Sequence, residues 1–218
     1  MTTITVLGAV LFFVSGATLV HIPLLLLLSA FGGPLFLLAL TARTEALKNV
    51  SSSVAYPITR LSVIVVAIFA VFYFHEQFSI YQAVGIGLAV AVFLLLTKHN
   101  QLERSIHPNF KLGVILAIVA LFAGAGATIV SKFVAISFDN FFAFIVLSNA
   151  INIFLALGVK NKLQGPRENG NHRNALIIGV INGMLNFVGY FAVITALSRG
   201  PLSLVTAVHS MNFVIAII

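Results

Sequence analysis

The chain has 218 residues, of which 60% are hydrophobic and only 8% charged, with a mean hydropathy of +1.12 and a formal net charge of +7. A water-soluble domain carries roughly 25% charged residues, so this composition excludes a soluble globular protein. The lack of cysteine excludes disulfides, thiol chemistry and thiolate metal sites.

Apolar stretches near twenty residues long recur through the sequence, each about long enough to cross a ~30 Å hydrocarbon layer as a helix. Eight spans are predicted, an all-α polytopic membrane helix bundle. Helix A covers about Ile4–Val20 and helix B about Pro23–Ala42. No short basic segment with a small-residue cleavage site opens the chain, so helix A is expected to act as its own insertion signal. Inside helix B, Gly32-Gly33-Pro34 is expected to bend or break the span and free backbone carbonyls. Helix C is about Ser53–Phe74 and D about Ile80–Thr97. Ser79 and Gln82 form an S-x-x-Q capping box for D, with Phe78 placed to staple against Ala83. Helix E is about Leu112–Ile136, F about Phe141–Val159 and G about Ala175–Ser198, and H starts at Pro201. "SRGPLS" stops G at Gly200 and puts Pro201 in the first position of H. Gly124 and Gly126 on E, and Gly179 and Gly183 on G, read as close-packing surfaces.

The charges sort by loop. The B–C, D–E and F–G connections hold Arg43, Lys48, Lys98, Arg104, Lys111, Lys160, Lys162, Arg167 and Arg173, nine in all, against Lys132 and Arg199 on the other side. Basic residues gather in cytoplasmic loops, so the D–E and F–G loops are expected in the cytoplasm. The lipid bilayer thus accounts for the basic balance without a nucleic-acid partner.

The sequence also repeats. At a spacing of 150, Ala46-Leu47 aligns with Ala196-Leu197, Ser53 with Ser203 and Gly33 with Gly183. Two halves of similar design suit a transporter, because a solute site between them can open to either side in turn.

These junctions resemble the EamA type of the drug/metabolite transporter superfamily. "EALKNVSSSVAYP" followed by "YFHEQFSIYQAVGIGLAVAVFLLL" fits the family pattern of a helix ending in Ala-Leu, a fourth helix, a short turn with a glutamate and a glycine-rich fifth helix. "TALSRGPLSLVTAVHSMNFVIAII" is the second-half counterpart. The resemblance implies ten helices in two five-helix repeats. It divides this chain into a first repeat at 1–98 lacking its first helix, a basic loop at 99–111, and a second repeat at 112–218 incomplete at its C-terminal end. Helices A to H then correspond to the family's second to ninth, and a counterpart of Glu76 is expected near position ~226, from the same spacing of 150. Relatives in the family mostly have both ends in the cytoplasm, the reverse of the orientation the loop charges give.

Glu76 is one of only five acids. Lying just before helix D, its carboxylate is expected to favour that helix's N-terminal dipole by ~0.3–1 kcal/mol; the competing role is proton coupling. Asn182, Asn186 and Tyr190 share one face of helix G, and Asn149 and Asn152 share one on F. Amides within a span either line a wet cavity or bond neighbouring helices. The substrate-binding candidates are Asn182, Asn186, Tyr190, Arg60, Tyr56, Ser62, His209 and Asn212. Arg60 stands out, since a guanidinium inside a span is costly and binds an anionic group bidentately; the alternative is snorkelling to the nearby interface. Together with helices B, C, E, G and H these residues are expected to line a central cavity.

No catalytic constellation, metal cluster or nucleotide-binding motif is present in the sequence, so no enzyme activity, metal or other cofactor is expected. The function read from the sequence is secondary transport of a small-molecule substrate, metabolite or drug, with a coupling ion, in the plasma membrane of a prokaryote. The alternative is a non-transporting membrane scaffold or an integral-membrane enzyme.

Overall fold

The computed structural model describes residues 1–16, 21–77, 80, 83–85, 87–88, 109–163 and 172–210. Most of the predicted helix D with its Ser79–Gln82 capping box, the greater part of the D–E and F–G loops, and Asn212 lie outside the described residues. Among the described residues all regular structure is helical. The helices are α1 Thr2–Val14, α2 Ile22–Asn49, α3 Ser52–Arg60, α4 Ser62–Phe74, α5 Phe110–Ser137, α6 Phe142–Leu163, α7 His172–Arg199 and α8 Leu202–Ser210.

Helix is what such a sequence must form in hydrocarbon, because no water is there to satisfy an unpaired backbone N–H or C=O. Among the described residues, four segments are long and apolar enough to span: Ile22–Asn49, Ser52–Phe74, Phe110–Ser137 and Ala175–Arg199. The 28 residues of α2 and of α5 extend to about 42 Å at 1.5 Å per residue. That exceeds the ~30 Å hydrocarbon layer, so these helices tilt or project beyond it.

Two elements differ from the sequence reading. The predicted helix B continues as α2 from Ala42 to Asn49, and it does not break at Pro34. Pro34 removes one backbone hydrogen bond, but the stretch is held by close neighbours. A Cβ at Gly32 would lie 3.0 Å from Val130 and 3.1 Å from Phe144. The predicted helix C is divided at Leu61, whose N–H is shared between the carbonyls of Pro57 (3.2 Å) and Ile58 (3.1 Å). The two pieces still form one apolar span, Ser52–Phe74.

Contacts divide the chain into two compact units, each drawn from both ends of the sequence. The first comprises Met1–Leu37 and Val130–Arg199. In it α1 packs against α6 and α7, and Phe144, Ile145, Ile194 and Leu197 are fully buried. Glycine is obligatory at two places. A Cβ at Gly33 would sit 2.8 Å from the Ser148 carbonyl oxygen, and one at Gly183 would sit 2.7 Å from the Thr3 Cβ. Among the described residues, a Cβ at Gly179 would meet nothing within 4 Å, and one at Gly124, in the second unit, only the Ala39 Cβ at 3.9 Å. Of these glycines it is Gly183 that closes a helix contact, while Gly179 and Gly124 do not.

The second unit comprises Leu38–Ile129 and Gly200–Ile218. Its core joins Ala46, Val50, Val54, Ala55, Ile58, Ala117 and Leu121, with Leu47, Leu61, Val65 and Val114 packed around them. The faces of α2, α3 and α5 therefore close on one apolar seam, and α8 packs along α4.

Candidate functional site

In the first unit, one face of α7 carries uncharged polarity. Asn186 Nδ2 donates to both the backbone oxygen and the Oδ1 of Asn182, each at 2.8 Å. Both side chains are exposed, so each offers further hydrogen-bonding capacity outward. One turn on, the Tyr190 hydroxyl pairs with Ser131 Oγ at 3.2 Å and its ring tilts against Phe36 at 6.3 Å. Asn149 and Asn152 on α6 are buried. Asn149 Nδ2 donates to the Ile145 carbonyl at 2.9 Å, which anchors it in its own helix. Asn152 Oδ1 accepts no hydrogen bond among the described residues; it lies 3.3 Å from where a Cβ at Gly33 would stand.

Lys132, counted as a loop charge from the sequence, is instead buried on α5. Its Nζ donates to the Leu197 carbonyl at 2.8 Å, in the last turn of α7. A helix C-terminus concentrates partial negative charge on its unsatisfied carbonyls, so the ammonium stabilises that end.

In the second unit, Glu76 reaches a helix far along the chain. α4 ends at His75 in a left-handed conformation (φ 51°), and the N–H of Glu76 turns back to the Ala70 carbonyl at 3.3 Å. The turn points the carboxylate at α8. Oε1 accepts the N–H of Leu202 at 2.5 Å, and Oε2 accepts both the N–H (3.1 Å) and the Oγ–H (2.6 Å) of Ser203. The first N–H groups of a helix have no partner within it, and Pro201 has none to offer. A carboxylate there combines charge-assisted hydrogen bonds with the favourable helix dipole. Glu76 thus links to α8, 126 residues away; the expected link to helix D lies largely outside the described residues.

The same unit gathers basic and aromatic groups. The Arg43 guanidinium lies over the Tyr56 ring, 4.6 Å from its centroid. Tyr56 and Arg60 are four residues apart on α3 and so share a face. Arg60 is within electrostatic range of Arg43, Tyr56 and His209. Ser62 follows on the first turn of α4 and is half-buried. Tyr56, Arg60, Ser62 and His209, with Arg43, belong to this unit, while Asn182, Asn186 and Tyr190 belong to the other.

Arg43 was missed because helix B was ended at the first charges. The available signal was negative: no glycine or proline lies between Pro34 and Pro57, so nothing stops the helix at Ala42. Among the described residues no group of three His, Asp or Glu converges as metal ligands would. An open recess of about 460 Å³ lies beside Thr2, Thr3, Ala175 and Gly179, and none of the chosen residues lines it.

Long apolar helices, buried amides and ionised side chains tied to helix termini define a multi-pass integral membrane protein. Residues 1–98 match the EamA-like transporter family. A stretch of 91 residues is 33% identical to the uncharacterized membrane protein YvaE of Bacillus subtilis (strain 168), spanning 40% of this chain and 72% of that protein. The chain belongs to the EamA-like transporter family and is in that sense a membrane transporter. No solved structure shows a significant match.

Proposed function

We propose that the protein carries small organic metabolites or drugs across the plasma membrane of a prokaryote by alternating access between two homologous repeats, 1–98 and 112–218. Transport is secondary, driven by an ion gradient or by exchange, and no enzymatic step is involved. Family membership supports the transporter class, and one observation carries the repeat. α7 ends and α8 begins 150 residues after α2 ends and α3 begins. The aligned Gly33 and Gly183 support it further, since each is a point of close helix approach. Interrupted helices in matching positions of two halves are where transporters of this design form their sites.

On this reading Asn182, Asn186, Tyr190, Tyr56, Arg60, Ser62, His209 and Asn212 supply polar contacts to the solute or to a coupling ion. An export and uptake screen in expressing cells tests the class, and Asn186→Ala tests the site. Transport per folded molecule should fall while the amount of folded protein in the membrane stays the same. A variant that loses thermal stability but keeps specific activity makes Asn186 a packing contact. Folded protein in proteoliposomes that moves no solute from a broad panel overturns the transporter reading.

A further inference from the structure

We propose that the contact between α2 and α6 at Gly33 is a binding site for one sodium ion, held by uncharged oxygens. As the coupling ion of transport this rests on the transporter reading; as an ion site it stands by itself.

The first argument is a pair of orphaned atoms. Other buried polar side chains are satisfied: Ser148 Oγ donates to the Phe144 carbonyl at 2.7 Å, Asn149 Nδ2 to the Ile145 carbonyl at 2.9 Å and Thr206 Oγ1 to the Leu202 carbonyl at 2.6 Å. Ser29 and Asn152 are 0% and 2% exposed, yet Ser29 Oγ and Asn152 Oδ1 have no hydrogen-bond partner among the described residues. A buried polar atom in that state is costly, above all where no water is at hand. A bound ion is one of the few things that relieves it.

The second argument is placement. A Cβ at Gly33 would stand 2.8 Å from the Ser148 carbonyl oxygen and 3.3 Å from Asn152 Oδ1, so both oxygens meet the same bare stretch of α2 backbone. Ser29 is one turn earlier on α2 and shares that face. Pro34, the next residue, has no N–H to offer the Ala30 carbonyl, which loses its helical donor in the same turn. Gly33 lies about 17 Å from the start of α2 and Asn152 about 15 Å from the start of α6 at 1.5 Å per residue, well inside both helices. The third argument is the donor set. Amide, carbonyl and hydroxyl oxygens side by side repel one another, and a cation satisfies several of them at once. Divalent cations rely on carboxylates, and neither α6 nor the part of α2 before Glu45 carries an acid. That leaves a monovalent ion, and the close approach of the helices at Gly33 favours the smaller alkali ion. Carbonyls released from their helical donors are ligands that sodium takes in transporter sites.

The test is thermal unfolding of the protein in phosphatidylcholine nanodiscs, in sodium, potassium or choline chloride at equal ionic strength. Sodium should raise the melting temperature saturably and more than potassium does, with choline inert. Asn152→Leu removes the amide oxygen, and Pro34→Ala returns a donor to the Ala30 carbonyl. Each should weaken sodium on the order of tenfold or more. Ser29→Ala removes a single oxygen, should weaken sodium by less, and decides the matter if the other two do not fold. Asn149→Leu, whose parent amide is tied to its own helix, should keep the sodium response.

Equal melting temperatures in the three salts overturn the proposal; if Asn152→Leu is then more stable than the parent, the occupant is a water. A sodium response that survives all three site variants also overturns it, because the ion then binds elsewhere. Proteoliposomes separate the ion site from transport, and a sodium gradient should drive solute movement there. Transport indifferent to sodium, in a protein that sodium stabilises through these residues, keeps the ion site and overturns its coupling role. Sodium binding without transport of any solute overturns the transporter reading and keeps the site. Transport without any sodium response does the reverse.

Discussion

The carboxylate of Glu76 accepts both the N–H and the Oγ–H of Ser203, 127 residues further along the chain. The contact stitches the end of α4 to the beginning of α8 within one compact unit. Hydrogen bonds to an ionised group contribute about 1.5–3 kcal/mol, so Glu76→Ala should destabilise by about that range. Ser203→Ala should cost less, because its N–H remains. In a double-mutant cycle the two should be coupled by about 0.5–3 kcal/mol, read as thermal unfolding in detergent. Additive effects would show that the two side chains do not meet.

Two glycines four residues apart on α7 should part company. Gly183→Ala drives a methyl to 2.7 Å from Thr3 and should destabilise by about 1–3 kcal/mol, the usual range for overpacking. Gly179→Ala enters open space and should be neutral or stabilising by up to about 1 kcal/mol through helix propensity. Equal melting temperatures for the two variants would contradict the close approach of α1 and α7.

Lys132→Met should lower stability by about 1–3 kcal/mol, since it leaves the buried Leu197 carbonyl without its donor. Lys132→Arg should recover part of the loss, whereas an acetyl-lysine mimic such as Lys132→Gln should recover less. If Lys132→Met unfolds at the temperature of the parent, the bond to α7 contributes nothing.

Orientation is checked with single cysteines, which the cysteine-free background makes simple. Cysteines at Arg104 and Gln164 should resist a membrane-impermeant thiol reagent in intact cells, and one at Asp139 should react. The loss of Lys132 from the loop count leaves the basic bias on the same side. The opposite labelling pattern would place both loops outside and restore the orientation usual among relatives.

Helix existence was legible because apolar runs of span length admit no other structure in hydrocarbon. Helix limits were less so. Charges at Arg43 and Glu45 look like a membrane edge, yet backbone geometry carries α2 on to Asn49 while only composition changes. Of the site, the Asn182–Asn186 pair follows directly from helical spacing. Contacts over long separations did not, because a single carboxylate beside a helix start is locally identical whether it caps the next helix or a distant one. Glu76 and Lys132 were each seen as charges, but their partners lie 126 and 65 residues away, and no sequence periodicity encodes such a distance.

The Glu76 contact also sets an order on biogenesis. A ribosome adding about 5–20 residues per second needs roughly 6–25 s to pass from Glu76 to Ser203. Throughout that interval the end of α4 is already made while its partner helix has not been translated. The carboxylate must wait without this partner while α5, α6 and α7 leave the translocon. Closure of the second unit is therefore a late, post-insertion event, and a defect in α8 would be felt by a segment that entered the bilayer long before it.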